Sequence, residues 1–393
     1  MPLEEIINRQ GIIISAPASG AGKTTVTLGL INAFARKRSV QPFKSGPDYI
    51  DPKFQSVAAD RPSYNLDTWA MSSSDILNMI GMVGPSDICI AEGSMGLFDG
   101  VISKGAGGNG STADLASITN WPVILVVDCA KQAQSVAALI AGFNSFRHDI
   151  TIGGIILNNI SSKRHEALVV SEVSKTKVPI LGVIPRSNEL TIPERHLGLV
   201  QAEDLSDLEQ LIFKLGTLIE ENCDLEAIAC TARNSFPPIS TLQKITPPAQ
   251  RIAIARDNAF TFTYSHLIEG WKKQGAEISF FSPLNDEPPS NSDDMVWLPG
   301  GYPELYLGRL SECKNFKNGL IDFSKKRPVH GECGGYMVLG RKIIGKSGQA
   351  YDMVGMFDLV TSFEKRKLNL GYRKAKAIEP FFGIKKGSTV LGH

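Results

Sequence analysis

The sequence predicts an α/β protein built from two parallel-sheet domains in series, and three observations predict it. Short apolar runs alternate with helix-patterned segments from "GIIIS" at 11–15 to "VPILGVIP" at 178–185, the rhythm of βαβ units. After the amphipathic stretch "DLSDLEQLIFKLGTLIEENC" comes "TARNSFPPISTLQKITPPAQ", whose proline, serine and threonine content reads as a linker. A second α/β series then runs through "RIAIARD", "AEISFFSP", "DMVWLPGG" and "RPVHGECGGYMVLG". The expected division is a first domain over 1–228, a linker over 229–250 and a second domain over 251–393.

With 393 residues, 42% hydrophobic and 21% charged, the chain is long enough for two or three cores. Its 41 Lys plus Arg balance 40 Asp plus Glu, which leaves no electrostatic footprint for nucleic acid or an anionic membrane. An anionic ligand must therefore be met in a local pocket. The opening "MPLEEIINRQ" lacks a basic, apolar leader, and no run reaches membrane-spanning length, so a cytoplasmic location is expected. Six scattered cysteines form no CxxC pair and predict neither a disulfide framework nor a zinc site. Cys89 and Cys129 sit in apolar runs and read as packing residues; Cys333 alone has unusual neighbours.

Residues 12–28, "IIISAPASGAGKTTVTL", read as strand, small-residue loop and helix start, the order of a P-loop with Pro17 in place of its first glycine. Backbone N–H groups and the helix N-terminus suit phosphates, a lysine neutralises them, and a threonine hydroxyl suits magnesium. Gly20, Gly22, Lys23, Thr24 and Thr25 are the expected ATP and Mg2+ residues. "PFKSGPDYIDP" at 42–52 places Lys44, Asp48 and Asp51 around a Gly-Pro turn after a short strand, acids that suit magnesium or an acidic substrate. "AEGSMGLFDG" puts Glu92 at the carboxyl end of a strand, the edge where open α/β sheets bind ligands.

In the second series, "VWLPGGYPE" at 296–304 ends a strand in paired glycines whose N–H groups suit an oxyanion. About thirty residues on, "GECGGYMVLG" holds Cys333 in a Gly-rich strand-to-helix corner, the setting of a nucleophile.

Together with "GSTADLA" and "LNLGYR", these motifs resemble the cobyrinic acid a,c-diamide synthase family, from about Ile12 to the last residue. The amino-terminal half resembles dethiobiotin synthetase, and the second domain resembles a flavodoxin-like class I glutamine amidotransferase. The resemblance implies ATP-dependent amidation of the a and c side-chain carboxylates of a corrinoid polycarboxylate, cobyrinic or hydrogenobyrinic acid, with L-glutamine or ammonia as nitrogen source. It assigns Asp48, Asp51 and Glu92 to the synthetase centre, with Thr24, Asp48 and Glu92 toward the metal. Lys44, Tyr49 and Ile50 go to the substrate and Asn158 to adenine. Cys333 becomes the glutaminase nucleophile, with Gly301 and Gly334 as oxyanion donors. Lys365, Arg366, Lys367 and Arg373 read equally as a solvated face or as contacts for the acidic corrinoid. The expected partners are the corrinoid polycarboxylate and L-glutamine or ammonia, with a homodimer left open by the sequence.

A cysteine of this kind needs a histidine base. The family reads Gly-His-Glu-aromatic-His near its end, and "TVLGH" supplies only Gly392 and His393, so the second domain is expected to be truncated or its glutaminase defective. Other fused glutamine-dependent synthetases, including cobyric acid synthase, remain competing readings, as do a partitioning-type ATPase and a non-catalytic ATP-binding protein.

Overall fold

The computed structural model describes residues 9–187, 194–195, 198–199, 207–235, 245–365, 371–380 and 382–393. The chain divides into two compact units, residues 1–243 with 391–393 and residues 244–390.

In the first unit the strands are β1 (Arg9–Ser15), β2 (Val40–Ser45), β3 (Tyr64–Leu66), β4 (Ile88–Glu92), β5 (Val123–Asp128), β6 (Ile152–Ile160) and β7 (Ile180–Pro185). They form a parallel sheet in the order β3-β2-β4-β1-β5-β6-β7. Helices α1 (Lys23–Ala35), α2 (Asp51–Ala59), α3 (Ser73–Met82), α4 (Thr112–Thr119), α5 (Val136–Phe146), α6 (Lys163–Val173), α7 (Leu208–Asn222) and α8 (Leu225–Thr231) complete it. Strand side chains point alternately to two cores. Ile13, Cys89, Leu125 and Leu157 join residues of α3 to α6 on one face. Ile12, Ile90, Ile124 and Ile156 join residues of α1, α2, α7 and α8 on the other. Burial on both faces is why these strands read as unbroken apolar runs.

Helices α1 and α7 close tightly because Gly29 has no side chain; a Cβ there would lie 2.6 Å from Ile219 Cγ1 and 2.8 Å from the Leu215 carbonyl oxygen. A small antiparallel pair, β8 (Glu194–Arg195) and β9 (Gly198–Leu199), precedes α7. After α8, β10 (Arg233–Ser235) pairs antiparallel with the start of β1. The stretch expected as a linker over 229–250 thus carries the end of α8 and a strand of the first sheet, while residues 236–244 of it lie outside the described residues.

The second unit holds β11 (Arg251–Ala255), α9 (Ser265–Lys273), β12 (Glu277–Phe281), β13 (Met295–Leu298), α10 (Leu307–Glu312), α11 (Lys314–Ser324), β14 (Val329–Gly331) and α12 (Gly334–Leu339). Its parallel sheet runs β12-β11-β13-β14, the first four strands of the flavodoxin-like order. Ala253, Val296 and Leu298 face α10, α11 and α12, whereas Ile252 and Ile254 face Trp271 of α9. A smaller sheet of β15 (Gly340–Ile344), β16 (Ala350–Asp352) and β17 (Phe357–Ser362) follows, then paired strands β18 (Arg373–Lys376) and β19 (Thr389–Gly392). Among the described residues no helix is long and apolar enough to cross a membrane.

Candidate active sites

The first site forms at the carboxyl edge of the larger sheet. Gly20 and Gly22 take left-handed backbone conformations, φ 80° and 84°, and Gly22 caps α1, so the helix opens at Lys23 with its free N–H groups toward the loop. Gly22 is glycine for a second reason, since a Cβ would lie 2.3 Å from Asn158 Nδ2. That nitrogen donates to the Ala21 carbonyl at 3.0 Å, so the amide expected for adenine braces the P-loop. Gly20, Gly22, Thr25 and Asn158, with Leu215 and Ile219 of α7, line a cavity of about 180 Å³.

Register brings the charged groups together. Lys44 on β2 is directly opposite Glu92 on β4. Its ammonium bonds the Asp51 carboxylate and lies 3.2 Å from Glu92 Oε1 and 3.9 Å from Asp48 Oδ2. Thr24 Oγ1 donates to Glu92 Oε1 at 2.6 Å, which ties the P-loop to β4. Lys23 Nζ donates to the carbonyl of Met95, a non-glycine residue held at φ 47°. All the residues expected at the phosphates and the metal therefore converge, with one qualification of kind: both lysines already have protein acceptors.

Burial works against the charged form of Lys44, and the surrounding carboxylates, Asp51 first, overcome it and raise its pKa. Burial lowers the pKa of Lys23, with Glu92 opposing and Lys44 adding to the fall. Burial and the neighbouring Asp51 push the Asp48 carboxyl up to about 6 against the pull of Lys44. Three residues here had no signal in the sequence. Gln55 on α2 donates to Glu92 Oε2 at 2.8 Å, Asn65 on β3 donates to the carbonyls of Gly46 and Asp48, and Met95 holds Lys23 through its backbone. Tyr49 is half-buried, and Ile50 packs against the core while its N–H donates to Asp48 Oδ1.

The donor set fits a hard divalent cation: a hydroxyl and carboxylates, oxygen throughout, beside a phosphate-type loop. Among the described residues no group of three or more His, Cys, Asp or Glu forms a metal-holding cluster. Magnesium takes one or two carboxylates and completes its shell with phosphate and water.

The second site is the corner between β14 and α12. Cys333 sits at φ 49° and ψ −118°, a backbone region that costs a non-glycine residue about 1–3 kcal/mol. The corner keeps that geometry through close backbone packing: a Cβ at Gly335 would lie 2.2 Å from the Leu298 carbonyl oxygen, and one at Gly301 would lie 2.1 Å from that of Ala259. The N–H groups of Gly334 and Gly301, the two expected oxyanion donors, both point at the Cys333 sulfur. Its thiol pKa is raised, by burial first, with those N–H groups opposing and Glu332 and Glu304 adding. His330 turns its ring to Trp297, 4.1 Å between centroids, and its Nε2 lies 3.6 Å from Glu332 Oε2. Lys365 and Arg373 are exposed, and Arg366 and Lys367 lie outside the described residues. Cys89 and Cys129 are buried, as packing residues should be.

Residues 12–200 match the CobQ/CobB/MinD/ParA nucleotide binding domain, and residues 251–393 match the CobB/CobQ-like glutamine amidotransferase domain. The hydrogenobyrinate a,c-diamide synthase of Rhodobacter capsulatus is 47% identical over 98% of this chain and 88% of its own. The chain belongs to the hydrogenobyrinate a,c-diamide synthase family. The family member from Brucella anthropi is 46% identical over 94% of this chain and 85% of its own. Among solved structures, the septum site-determining protein MinD of Pyrococcus horikoshii complexed with Mg-ADP covers 56% of this chain and 98% of its own at 18% identity, with a TM-score of 0.32. Membership in the diamide synthase family makes the protein a glutamine-dependent amidating ligase of cobalamin biosynthesis, with a nucleotide-binding domain in series with a glutamine amidotransferase domain.

Proposed function

We propose that the protein amidates the a and c side-chain carboxylates of hydrogenobyrinic acid or its cobalt counterpart, with ATP and Mg2+ at the first site and glutamine at the second. The convergence of Lys23, Thr24, Lys44, Asp48, Asp51 and Glu92 at one sheet edge carries this reading. A carboxylate is a poor acyl donor. Its oxygen attacks the γ-phosphorus, ADP leaves, and an acyl phosphate forms; ammonia then attacks the carbonyl carbon and phosphate leaves. Thr24 and Glu92, with Asp48 beside them, would hold Mg2+, which supplies charge neutralisation across the phosphates. Lys23 and the open N–H groups at the start of α1 bind the phosphates, and Lys44 neutralises charge developing on the transferred group. Asn158 borders the nucleotide cavity and steadies its loop.

At the second site the Cys333 sulfur attacks the glutamine side-chain amide. The oxyanion is received by Gly301 and Gly334, the thiol proton passes to the amide nitrogen so that it leaves as ammonia, and water hydrolyses the glutamyl thioester to glutamate and the free thiol. The reading is tested by supplying the purified protein with hydrogenobyrinic acid, ATP, Mg2+ and an ammonium salt. Expected are ADP formation matched to amide formation by mass spectrometry, and loss of both in Lys23→Ala. Unchanged amide formation in a folded Lys23→Ala protein would remove the first site from the reaction.

A further inference from the structure

We propose that Lys44 is the resident counter-ion of the acid cluster: its ammonium neutralises the carboxylates while nucleotide is absent, and thereby keeps a divalent cation out until a triphosphate arrives. The proposal rests on the ATP- and Mg2+-dependent reading of the first site.

Lys44 is 4% exposed and belongs to β2, which is flanked on both sides by β3 and β4 and paired in register with the strand that carries Glu92. Its backbone position is therefore fixed, and only the end of its side chain can move. That end bonds Asp51, lies 3.2 Å from Glu92 Oε1 and reaches to 3.9 Å from Asp48. Glu92 and Asp48 among them are the carboxylates placed at the metal, and Asp51 anchors the ammonium.

Glu92 Oε1 already serves two donors, the Lys44 ammonium and the Thr24 hydroxyl at 2.6 Å. Neighbouring oxygens around Mg2+ are roughly 2.9 Å apart, from its 2.0–2.1 Å octahedral bonds. A metal held by Thr24 and Glu92 must therefore part that hydrogen bond, turn the hydroxyl proton away and take the place of the ammonium at Oε1. The other oxygen of Glu92 is held by Gln55, so the carboxylate cannot simply rotate to offer a free face.

Charge points the same way. Lys44 contacts Asp48, Asp51 and Glu92, and Lys23 lies in the field of Glu92, Asp51 and Asp99, so each carboxylate of the cluster already has an ammonium beside it. A bare divalent cation meets an ammonium in contact with its own ligands, in a buried setting where repulsion is weakly screened. A triphosphate changes that balance. It brings negative oxygens that accept the displaced Lys44, draw Lys23 from the Met95 carbonyl and help to bind the metal. Magnesium then enters with nucleotide and not before it.

The test uses Mn2+ as a paramagnetic substitute, with free ion counted by EPR in the absence of nucleotide. The parent protein should bind Mn2+ far more weakly alone than with a non-hydrolysable ATP analogue. Equal affinity in the two conditions would overturn the proposal without recourse to any variant. Lys44→Met and Lys44→Gln should then bind nucleotide-free Mn2+ on the order of ten-fold more tightly or better. The glutamine variant keeps a donor for Asp51 should the methionine variant fail to fold. Affinity unchanged or weakened in a folded variant refutes the counter-ion role. Adding Glu92→Gln to Lys44→Gln should lower the gained affinity, and a gain that persists in full would place the metal outside the cluster and count against the proposal. Analogue binding by calorimetry on the same samples separates this result from the functional reading: a parent that binds no ATP analogue loses that reading, whatever the Mn2+ titration shows.

Discussion

At the scale of single residues, the two sites hold charged groups in states that water would not favour. Asp48 is pushed up to about 6 by burial and by Asp51, from an ordinary 3.8. A carboxyl whose folded pKa is raised contributes stability that is present below its unfolded pKa and is lost as pH rises through about 6. Asp48→Asn should therefore make the first unit more stable than the parent at pH 7.5, with the gap narrowing toward pH 5. With its side chain 35% exposed, solvent screening reduces the expected gain to about 1 kcal/mol, read as a shift in thermal midpoint. A gap independent of pH would show that Asp48 titrates normally. Cys333 shows the same tension from the other side, since burial first, and then Glu332 and Glu304, raise a thiol that chemistry needs as thiolate. Glu332→Gln should move the midpoint of iodoacetamide alkylation at Cys333 to lower pH, and no movement would mean that the Glu332 charge is screened from the sulfur. Lys23, Glu92 and Cys333 were legible because each stands in a motif whose geometry is local. Gln55 and Met95 were not, because one acts from the interior of α2 across the sheet and the other through its carbonyl, which no side-chain pattern encodes.

At the scale of elements, β1, β4, β5 and β6 are readable because both of their faces are buried and the apolar run has no gaps. β3 and β10 are three residues each, too short for any period to show, and only pairing to β2 and β1 defines them. The expected end of the first domain at 228 fell inside α8 for the same reason: nothing local marks a strand that exists by joining a sheet begun more than two hundred residues earlier. The loop from β1 to α1 is likewise completed by a distant element, since Asn158 at the end of β6 holds the Ala21 carbonyl. Its amide is fixed in orientation, because a carbonyl can only accept. Asn158→Ala should then weaken ATP and GTP to a similar degree, raising KM several-fold for each, because the loop that it steadies binds phosphates common to both. A loss confined to ATP would assign the side chain to the base, as the family resemblance implied. A fall in thermal midpoint with KM unchanged would leave Asn158 a structural role only.

At the scale of the whole molecule, two α/β units each place their chemistry at the end of a parallel sheet. The first uses charge and a phosphate-type loop, and the second a strained cysteine beneath two N–H groups. On the proposed reading the second reaction supplies ammonia, a neutral molecule that can also come from solution. The centres should therefore be separable by mutation even though the overall reaction needs both. Cys333→Ala removes the nucleophile with the loss of one sulfur atom and no added volume, so folding should survive. Whatever amidation glutamine supports should disappear in this variant, while ammonium-supported amidation and its matched ADP release should stay within about two-fold of the parent, because on the proposed reading the acyl phosphate forms without the thiol. Lys23→Ala should do the reverse, ending amide formation with either donor and leaving Cys333 open to alkylation at the parental rate. If Cys333→Ala also lost ammonium-supported turnover while remaining folded and able to bind nucleotide, the thiol would be serving the synthetase centre directly, and the division of labour between the two units would have to be redrawn.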